Sequence, residues 1–282
     1  MLPRSIVKHA LAAGVVTAAV PSFQPALATP HEHTQLADND AAAAAFLHQD
    51  LATLTALATG GDAVAQNYLG TAYFLGRGAP QDYAAAVIWY QKAADQNLAD
   101  AQFVLGMMYA DGRGVPQNYV TAASLLRKAA DQGHAFAQDS LGRWYERGDG
   151  VPQSYVDAVN WYRKAAEQGH ASAQDNLGLM YIKGLGVAQD YTAANLWLRK
   201  AAEQGYARAQ NDLGLLYANG LGVPRDFVEA YKWFDLSAAA AKSESSREEA
   251  TRNRDEAASG MTSAQIGEAQ KQVKAWQAAR KD

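Results

Sequence analysis

A unit of 36 residues occurs five times in this chain of 282 residues, and this repetition constrains the fold more than any other feature. Each copy contains the pattern Gln-x-x-Leu-Gly-x-x-Tyr, followed by a Gly-x-Gly pair. The glutamines of the five copies are Gln66, Gln102, Gln138, Gln174 and Gln210. Self-similarity at this period predicts a solenoid, in which each unit buries its apolar face only against its neighbours.

Each unit has the pattern of two helices joined by a turn. In the first copy Ala65, Leu69 and Tyr73 gather on one face of a helix that ends at Gly76. A turn rich in glycine and proline follows, and the second helix begins at a residue type that caps helix N-termini. The five capping residues are Asp82, Asn118, Ser154, Asp190 and Asp226. Since no strand pattern accompanies these helices, the sequence predicts an all-α fold.

The pattern resembles the SEL-one-like repeat family, a relative of the tetratricopeptide repeat with a longer turn. The resemblance rests on Ala-x-Ala-Gln-x-x-Leu-Gly-x-x-Tyr, Gly-x-Gly-Val and Ala-x-x-Trp-x-x-Lys-Ala-Ala, and His170 to Gly205 shows nearly all of it. It covers roughly residues 62–241. Departures are minor: Leu125 replaces the tryptophan, Ala188 the turn proline and Asn97 a closing glycine. The resemblance implies a right-handed αα superhelical solenoid with a concave groove.

The segments that flank the repeats are predicted to be helical caps, which solenoids need in order to shield their terminal apolar faces. Residues 40–61 have the pattern of an Ala-rich N-terminal capping helix. Residues 242–282 have the pattern of a degenerate sixth repeat. Within it Thr262 lies 36 residues after Asp226 and opens the last helix through a Thr-x-x-Gln capping box with Gln265.

The N-terminus has the features of a signal peptide over residues 1–28, with a linker at 29–39. Arg4 and Lys8 precede an apolar stretch too short to span a bilayer, and Ala28 ends a small-x-small cleavage site. The alternative, a hydrophobic first helix of the solenoid, is disfavoured because two prolines would break it. We therefore expect a periplasmic or secreted protein after cleavage near Ala28, with no membrane span in the mature chain.

Composition narrows the functional classes. The chain has no cysteine, which rules out disulfides and thiolate sites. Some secreted relatives carry a disulfide in each repeat and are linked to β-lactam binding or hydrolysis. Because this chain lacks the disulfides, a β-lactam-related function is less strongly indicated. A formal net charge of −4 and the lack of a basic patch argue against nucleic-acid binding. No cofactor is predicted, and a monomer is favoured.

Catalytic and metal-binding motifs are largely missing. There is no Gly-x-Ser-x-Gly, no His-Glu-x-x-His and no phosphate-cradling loop. His31 and His33 lie in the linker, where Pro30 lacks the backbone N–H that an amino-terminal copper site requires. His134 and His170 occupy equivalent positions at the start of a first helix, and a structural role is predicted for both.

Asp139 and Asp175 are the one carboxylate pair with catalytic interest. They are equivalent positions on neighbouring helices, and packed helices lie about 8–10 Å apart, near the carboxylate separation of inverting glycosidases. The alternative is that polar residues occupy an exposed face. Asn67 and Asn211 stand at the same position in other units, which favours the alternative.

A binding surface is predicted by subtraction, because positions that the repeat fixes belong to the core. The tryptophan and tyrosine stripes of the repeat are therefore predicted to be core. By similarity to tetratricopeptide solenoids, variable positions of the first helices line the concave groove. The candidate partner-binding residues are Asn67, Phe103, Met107, Asp139, Arg143, Glu146, Asp175, Leu179, Asn211 and Leu215. Apolar residues on both sides of a charged centre suit an extended peptide or an amphipathic helix. The alternative is that the apolar members only pad contacts between repeats.

The function predicted from these features is that of an exported, non-catalytic adaptor or regulator that binds a protein or peptide. A cell-wall enzyme or β-lactam-binding protein is the first alternative, and recognition of host factors is the second.

Overall fold

The computed structural model describes residues 51–280, and this range contains only α-helices, turns and loops. The signal peptide, the linker and residues 40–50 of the N-terminal cap lie outside the described residues. The described helices are α1 (Leu51–Thr59), α2 (Ala63–Leu75), α3 (Tyr83–Asp95), α4 (Ala99–Asp111), α5 (Tyr119–Asp131), α6 (Ala135–Arg147), α7 (Tyr155–Glu167), α8 (Ala171–Lys183), α9 (Tyr191–Glu203), α10 (Ala207–Asn219), α11 (Phe227–Ala240), α12 (Glu244–Ser259) and α13 (Ser263–Ala278).

The described residues form two compact units, 51–161 and 162–280, whose border lies within α7. In the first unit each helix from α1 to α6 packs against the next one. In the second unit the same holds from α8 to α11, and both α12 and α13 pack against α11. Each unit is therefore a stack of helical hairpins, and the predicted all-α solenoid is confirmed.

The helix boundaries follow the predicted capping residues. The side chain of Asp82 accepts a hydrogen bond from the backbone N–H of Ala85 at 3.0 Å, and the four equivalent residues cap α5, α7, α9 and α11 in the same way. Gly76 ends α2 in the left-handed conformation, with φ of 69°. Asn97 stands where the next three repeats have glycine and also has a positive φ of 65°. Asparagine tolerates this conformation better than most residues, which explains the substitution.

The long turn of each hairpin is held by contacts that the sequence pattern did not reveal. In the first four repeats a glutamine side chain in the turn donates to a carbonyl near the end of the first helix, as in the 2.7 Å bond from Gln117 Nε2 to Ala110 O. The second glycine of the Gly-x-Gly pair packs on the preceding hairpin at Gly114, Gly150 and Gly222. A Cβ atom at Gly114 would lie 2.4 Å from the carbonyl oxygen of Tyr83, so a larger residue would push the two hairpins apart.

The core of each hairpin is centred on the repeat glycine and the residue after the tryptophan position. A Cβ atom at Gly178 would lie 2.7 Å from Leu198 Cγ. The residues at the position of Leu198 are at most 2 % exposed in all five repeats: Tyr90, Leu126, Tyr162, Leu198 and Phe234. The tryptophans themselves were predicted to be core. That is correct for Trp161 and Trp233, whereas Trp89 and Trp197 are only partly buried.

The signature glutamines are buried and join neighbouring hairpins. Gln66 Nε2 donates to the carbonyl oxygen of Ala58 at 3.0 Å, and Gln66 Oε1 accepts from Gln96 Nε2 at 2.8 Å. The same amide pairs recur in later repeats as Gln102 with Gln132 and Gln174 with Gln204. In the fifth repeat the second member is Ala240, and Gln210 Oε1 has no hydrogen-bond partner among the described residues.

The last two helices cover the fifth repeat. The capping box is present as predicted: Thr262 N donates to Gln265 Oε1 at 2.9 Å, and Gln265 N donates back to Thr262 Oγ1 at 3.3 Å. Val273 and Trp276 of α13 pack into the core cluster that contains Trp233. Between residues 51 and 280, no helix combines the length and apolar character that a membrane crossing requires.

Candidate functional site

The ten predicted partner-binding residues all lie on first helices of the hairpins, namely α2, α4 and α6 in the first unit and α8 and α10 in the second. Their exposure differs widely, and this separates residues that can meet a partner from residues that support the fold.

Phe103 and Met107 are core residues. Phe103 is 2 % exposed, and its ring stacks on that of His134 with the centroids 4.8 Å apart. Met107 is 7 % exposed and belongs to the same cluster. These two side chains therefore offer almost no surface to a partner, and the alternative interpretation as padding between repeats is the correct one for them. The reason is tertiary, because the N-terminal end of the next first helix covers Phe103.

Asp139 and Asp175 are buried and ion-paired, so their interpretation as exposed polar residues is wrong. Asp139 is 1 % exposed, and its Oδ2 lies 3.4 Å from Arg143 Nη2. Asp175 is fully buried and pairs with Arg208 of the next first helix. Because burying an unpaired carboxylate is costly, an arginine beside each of them is the expected compensation. Neither carboxylate stands ready as a free acid or base.

The remaining predicted residues keep part of their surface accessible. Arg143 and Glu146 of α6 are partly exposed, as are Leu179 of α8 and Leu215 of α10. Asn67 of α2 and Asn211 of α10, which stand at equivalent positions of their repeats, are also partly exposed. Arg143 additionally donates to Ser140 Oγ at 3.2 Å. Accessible charge thus lies on α6 and accessible apolar surface on α8 and α10.

Leu179 and Leu215 differ from the leucines that the repeat fixes two residues earlier. Leu177 and Leu213 are 0 % exposed and form the hairpin cores. Leu179 and Leu215 lie about 200° further around the helix and retain partial exposure. Leu179 and Leu215 are therefore partly exposed leucines at equivalent positions of successive repeats, and Leu215 also packs against the core cluster that contains Trp233.

Asn211 has an intramolecular partner. Its Oδ1 accepts a hydrogen bond from Asn253 Nδ2 of α12 at 2.9 Å. The sequence pattern did not predict this bond, because Asn253 belongs to the degenerate sixth repeat. Part of the predicted surface on α10 is therefore occupied by the C-terminal helices.

Asp212 is a residue with unusual chemistry that the prediction missed. It lies next to Asn211 and is partly buried. Desolvation, reinforced by the negative charges of Asp175 and Glu249 and opposed by Arg208, raises the pKa of Asp212 to about 7. The sequence signal that could have identified Asp212 is its position in the repeat. The first two repeats hold Tyr68 and Val104 at this position, and only the fifth repeat holds an acidic residue there.

His134 and His170 have the predicted structural role. The Nδ1 atom of His134 accepts a hydrogen bond from the backbone N–H of Ala137 at 3.1 Å, and His170 caps α8 through Ala173 in the same way. Within residues 51–280, no three histidine, cysteine or acidic side chains cluster closely enough to hold a metal ion. His31 and His33 lie outside the described residues.

Comparison with known proteins agrees with this architecture. The Sel1 repeat matches residues 63–98, 99–134, 135–170, 171–206 and 207–241. A Sel1 repeat protein from Oxalobacter formigenes is 34 % identical, with a TM-score of 0.62, over 70 % of this chain and 85 % of that one. A protective antigen of uropathogenic Escherichia coli that displays an SLR fold is 30 % identical, with a TM-score of 0.54, over 80 % of this chain and 55 % of that one. The search of curated proteins gave no match.

The stacked hairpins, the fixed core and the variable first-helix positions define a helical-repeat protein of the kind that binds other proteins. The chain belongs to the Sel1 repeat family. Members of this family generally mediate protein–protein interactions and act as non-catalytic scaffolds.

Proposed function

We propose that this protein is an exported adaptor or regulator that binds a peptide or protein partner on the variable surface of its first helices. The observation that carries the proposal is the partial exposure of Leu179 and Leu215 beside the fully buried Leu177 and Leu213. Apolar side chains at equivalent positions of successive first helices provide two anchor points at the spacing of one repeat. A helix or extended peptide with apolar residues at matching intervals would bury both.

The test is a pull-down from envelope extract with residues 29–282 as bait, comparing wild type with a Leu179→Ala, Leu215→Ala double variant. We expect the recovered partner to be lost, since truncation of central anchor residues typically costs about 2 kcal/mol or more. The matched control is Leu196→Ala, which removes a 53 % exposed leucine from a second helix of the same unit. Circular dichroism spectra must be the same for all three proteins.

Full retention of the partner by the double variant, together with its loss from Leu196→Ala, would assign binding to the second helices and contradict the proposal. Phe103→Ala and Met107→Ala are unsuitable as binding probes, because both side chains are buried and their truncation would lower stability.

The exported location is a proposal that rests on the pattern of residues 1–28. The apolar stretch, its positive flank and the Ala26-Leu27-Ala28 site support it. N-terminal sequencing of protein recovered from the periplasm should give Thr29 as the first residue. Recovery of protein that retains Met1, found only in the cytoplasmic fraction, would refute export.

A further inference from the structure

Asp212 of α10 lies among charged groups from two other helices of the second unit. Asp175 and Lys183 belong to α8, Arg208 precedes Asp212 by about one turn of α10, and Glu249 belongs to α12. Arg208 is already engaged, because it pairs with Asp175 and also bonds Asn176. Asp212 itself makes no hydrogen bond or ion pair within the described residues. The negative charges around it are therefore only partly compensated.

Two other helices, α9 and α11, also pack against α10, but they do not compensate the negative charges around Asp212. Their charged side chains either have partners of their own or are exposed. Arg199 bonds Tyr217, Lys200 lies over the ring of Trp197, Lys232 pairs with Glu229, Asp235 pairs with Arg254, and Glu203 is exposed.

The contact between α10 and α12 is small, because α12 packs mainly against α11. The residues that α12 buries are Ala250 and Ala257, both small. The hydrogen bond between Asn253 and Asn211 joins the two helices immediately beside Asp212. Since Glu249 also approaches from α12, ionisation of Asp212 places two like charges across this contact.

We propose that protonation of Asp212 controls how firmly the C-terminal helix α12 packs on the fifth repeat. When Asp212 is neutral, the repulsion from Asp175 and Glu249 is absent and α12 stays packed against α10 and α11. When Asp212 is ionised, the repulsion weakens the packing of α12.

The direction of the pH effect follows from the raised pKa of Asp212. Burial and neighbouring acids raise this pKa to about 7, from an ordinary value of 3.8 in the unfolded chain. The folded protein therefore binds a proton more tightly than the unfolded chain does. The stabilisation is fully present below about pH 4 and is lost as the pH rises through about 7.

The experiment is a thermal melt of the whole mature chain at pH 5, 6, 7 and 8 for wild type, Asp212→Asn and Asp131→Asn. Asparagine imitates the neutral acid without titrating. We expect Asp212→Asn to melt higher than wild type, by a difference that grows from pH 5 to pH 7 and reaches roughly 3 °C or more at pH 8. Asp131 is exposed at the end of α5, and Asp131→Asn should differ from wild type equally at every pH.

A second measurement locates the effect. Hydrogen exchange, corrected for the intrinsic pH dependence of exchange, should show weaker protection of residues 244–259 in wild type at pH 8 than at pH 5, and no such change in Asp212→Asn. Glu249→Gln should reproduce part of the gain at pH 8. Parallel pH profiles of wild type and Asp212→Asn would overturn the proposal, as would a loss of protection spread evenly over the second unit. Neither readout depends on a binding partner, so the result is independent of the proposed function.

Discussion

Gly178 of α8 faces Leu198 of α9 so closely that a Cβ atom at residue 178 would lie 2.7 Å from Leu198 Cγ. The equivalent glycines Gly70 and Gly214 meet Tyr90 and Phe234 in the same way, at 2.9 and 2.6 Å. The missing side chain on the first helix is thus matched by a large buried side chain on the second helix, and this pair sets the spacing within the hairpin.

Gly178→Leu should therefore lower the stability of the second unit by roughly 1–3 kcal/mol through overpacking. Gly178→Ala should also destabilise, although alanine is the better helix former. The matched control is Gly267→Ala in α13, where no atom lies within 4 Å of the added Cβ. That variant should raise the free energy of unfolding by about 1 kcal/mol. Thermal melts monitored by circular dichroism test this prediction. Equal changes in melting temperature for Gly178→Ala and Gly267→Ala would contradict the packing account.

Deletion of residues 262–282 should lower the melting temperature or cause aggregation. The deletion removes Val273 and Trp276 from the cluster around Trp233, which is 2 % exposed in the intact protein. A solenoid end without its cap exposes apolar surface. Light scattering and melting curves of the truncated chain give the answer. A truncated chain that stays monomeric and melts like wild type would show that α13 is dispensable.

Ala240→Gln should stabilise the fifth repeat by about 0.5–1.5 kcal/mol. The introduced amide stands at the position of Gln96, Gln132 and Gln204, and it can donate to Gln210 Oε1, which lacks a partner. Gln204→Ala is the reciprocal variant and should destabilise, because it takes the same bond from Gln174. If Ala240→Gln melts no higher than wild type, the extra residue at the end of α11 places the amide out of reach.

Asn195→Val should also stabilise, by about 1–3 kcal/mol. Asn195 is 8 % exposed, its Nδ2 has no hydrogen-bond partner, and other repeats have an apolar residue at this position. The converse variant Val159→Asn places an amide in an equally buried position and should destabilise by a similar amount. Urea unfolding of both variants tests the pair. Destabilisation by Asn195→Val would mean that this amide makes a bond essential to the fold.

The sequence by itself determined the helices and their order. The N-caps, the left-handed Gly76 and Asn97, and the Thr262–Gln265 capping box are local features that depend on a few neighbouring residues. The 36-residue period then specified the solenoid, because equivalent residues in equal surroundings pack alike. Local chemistry and repetition together left little freedom in the fold class.

Only the tertiary structure decided which variable residues are accessible. Phe103 and Leu179 both stand at positions free to vary, yet Phe103 is covered by His134 of the next repeat while Leu179 stays partly exposed. Asp175 is neutralised by an arginine 33 residues away, and the pKa of Asp212 depends on acids from two other helices. Burial and electrostatics are sums over neighbours that are distant in the chain, and a repeat pattern describes only what the copies share.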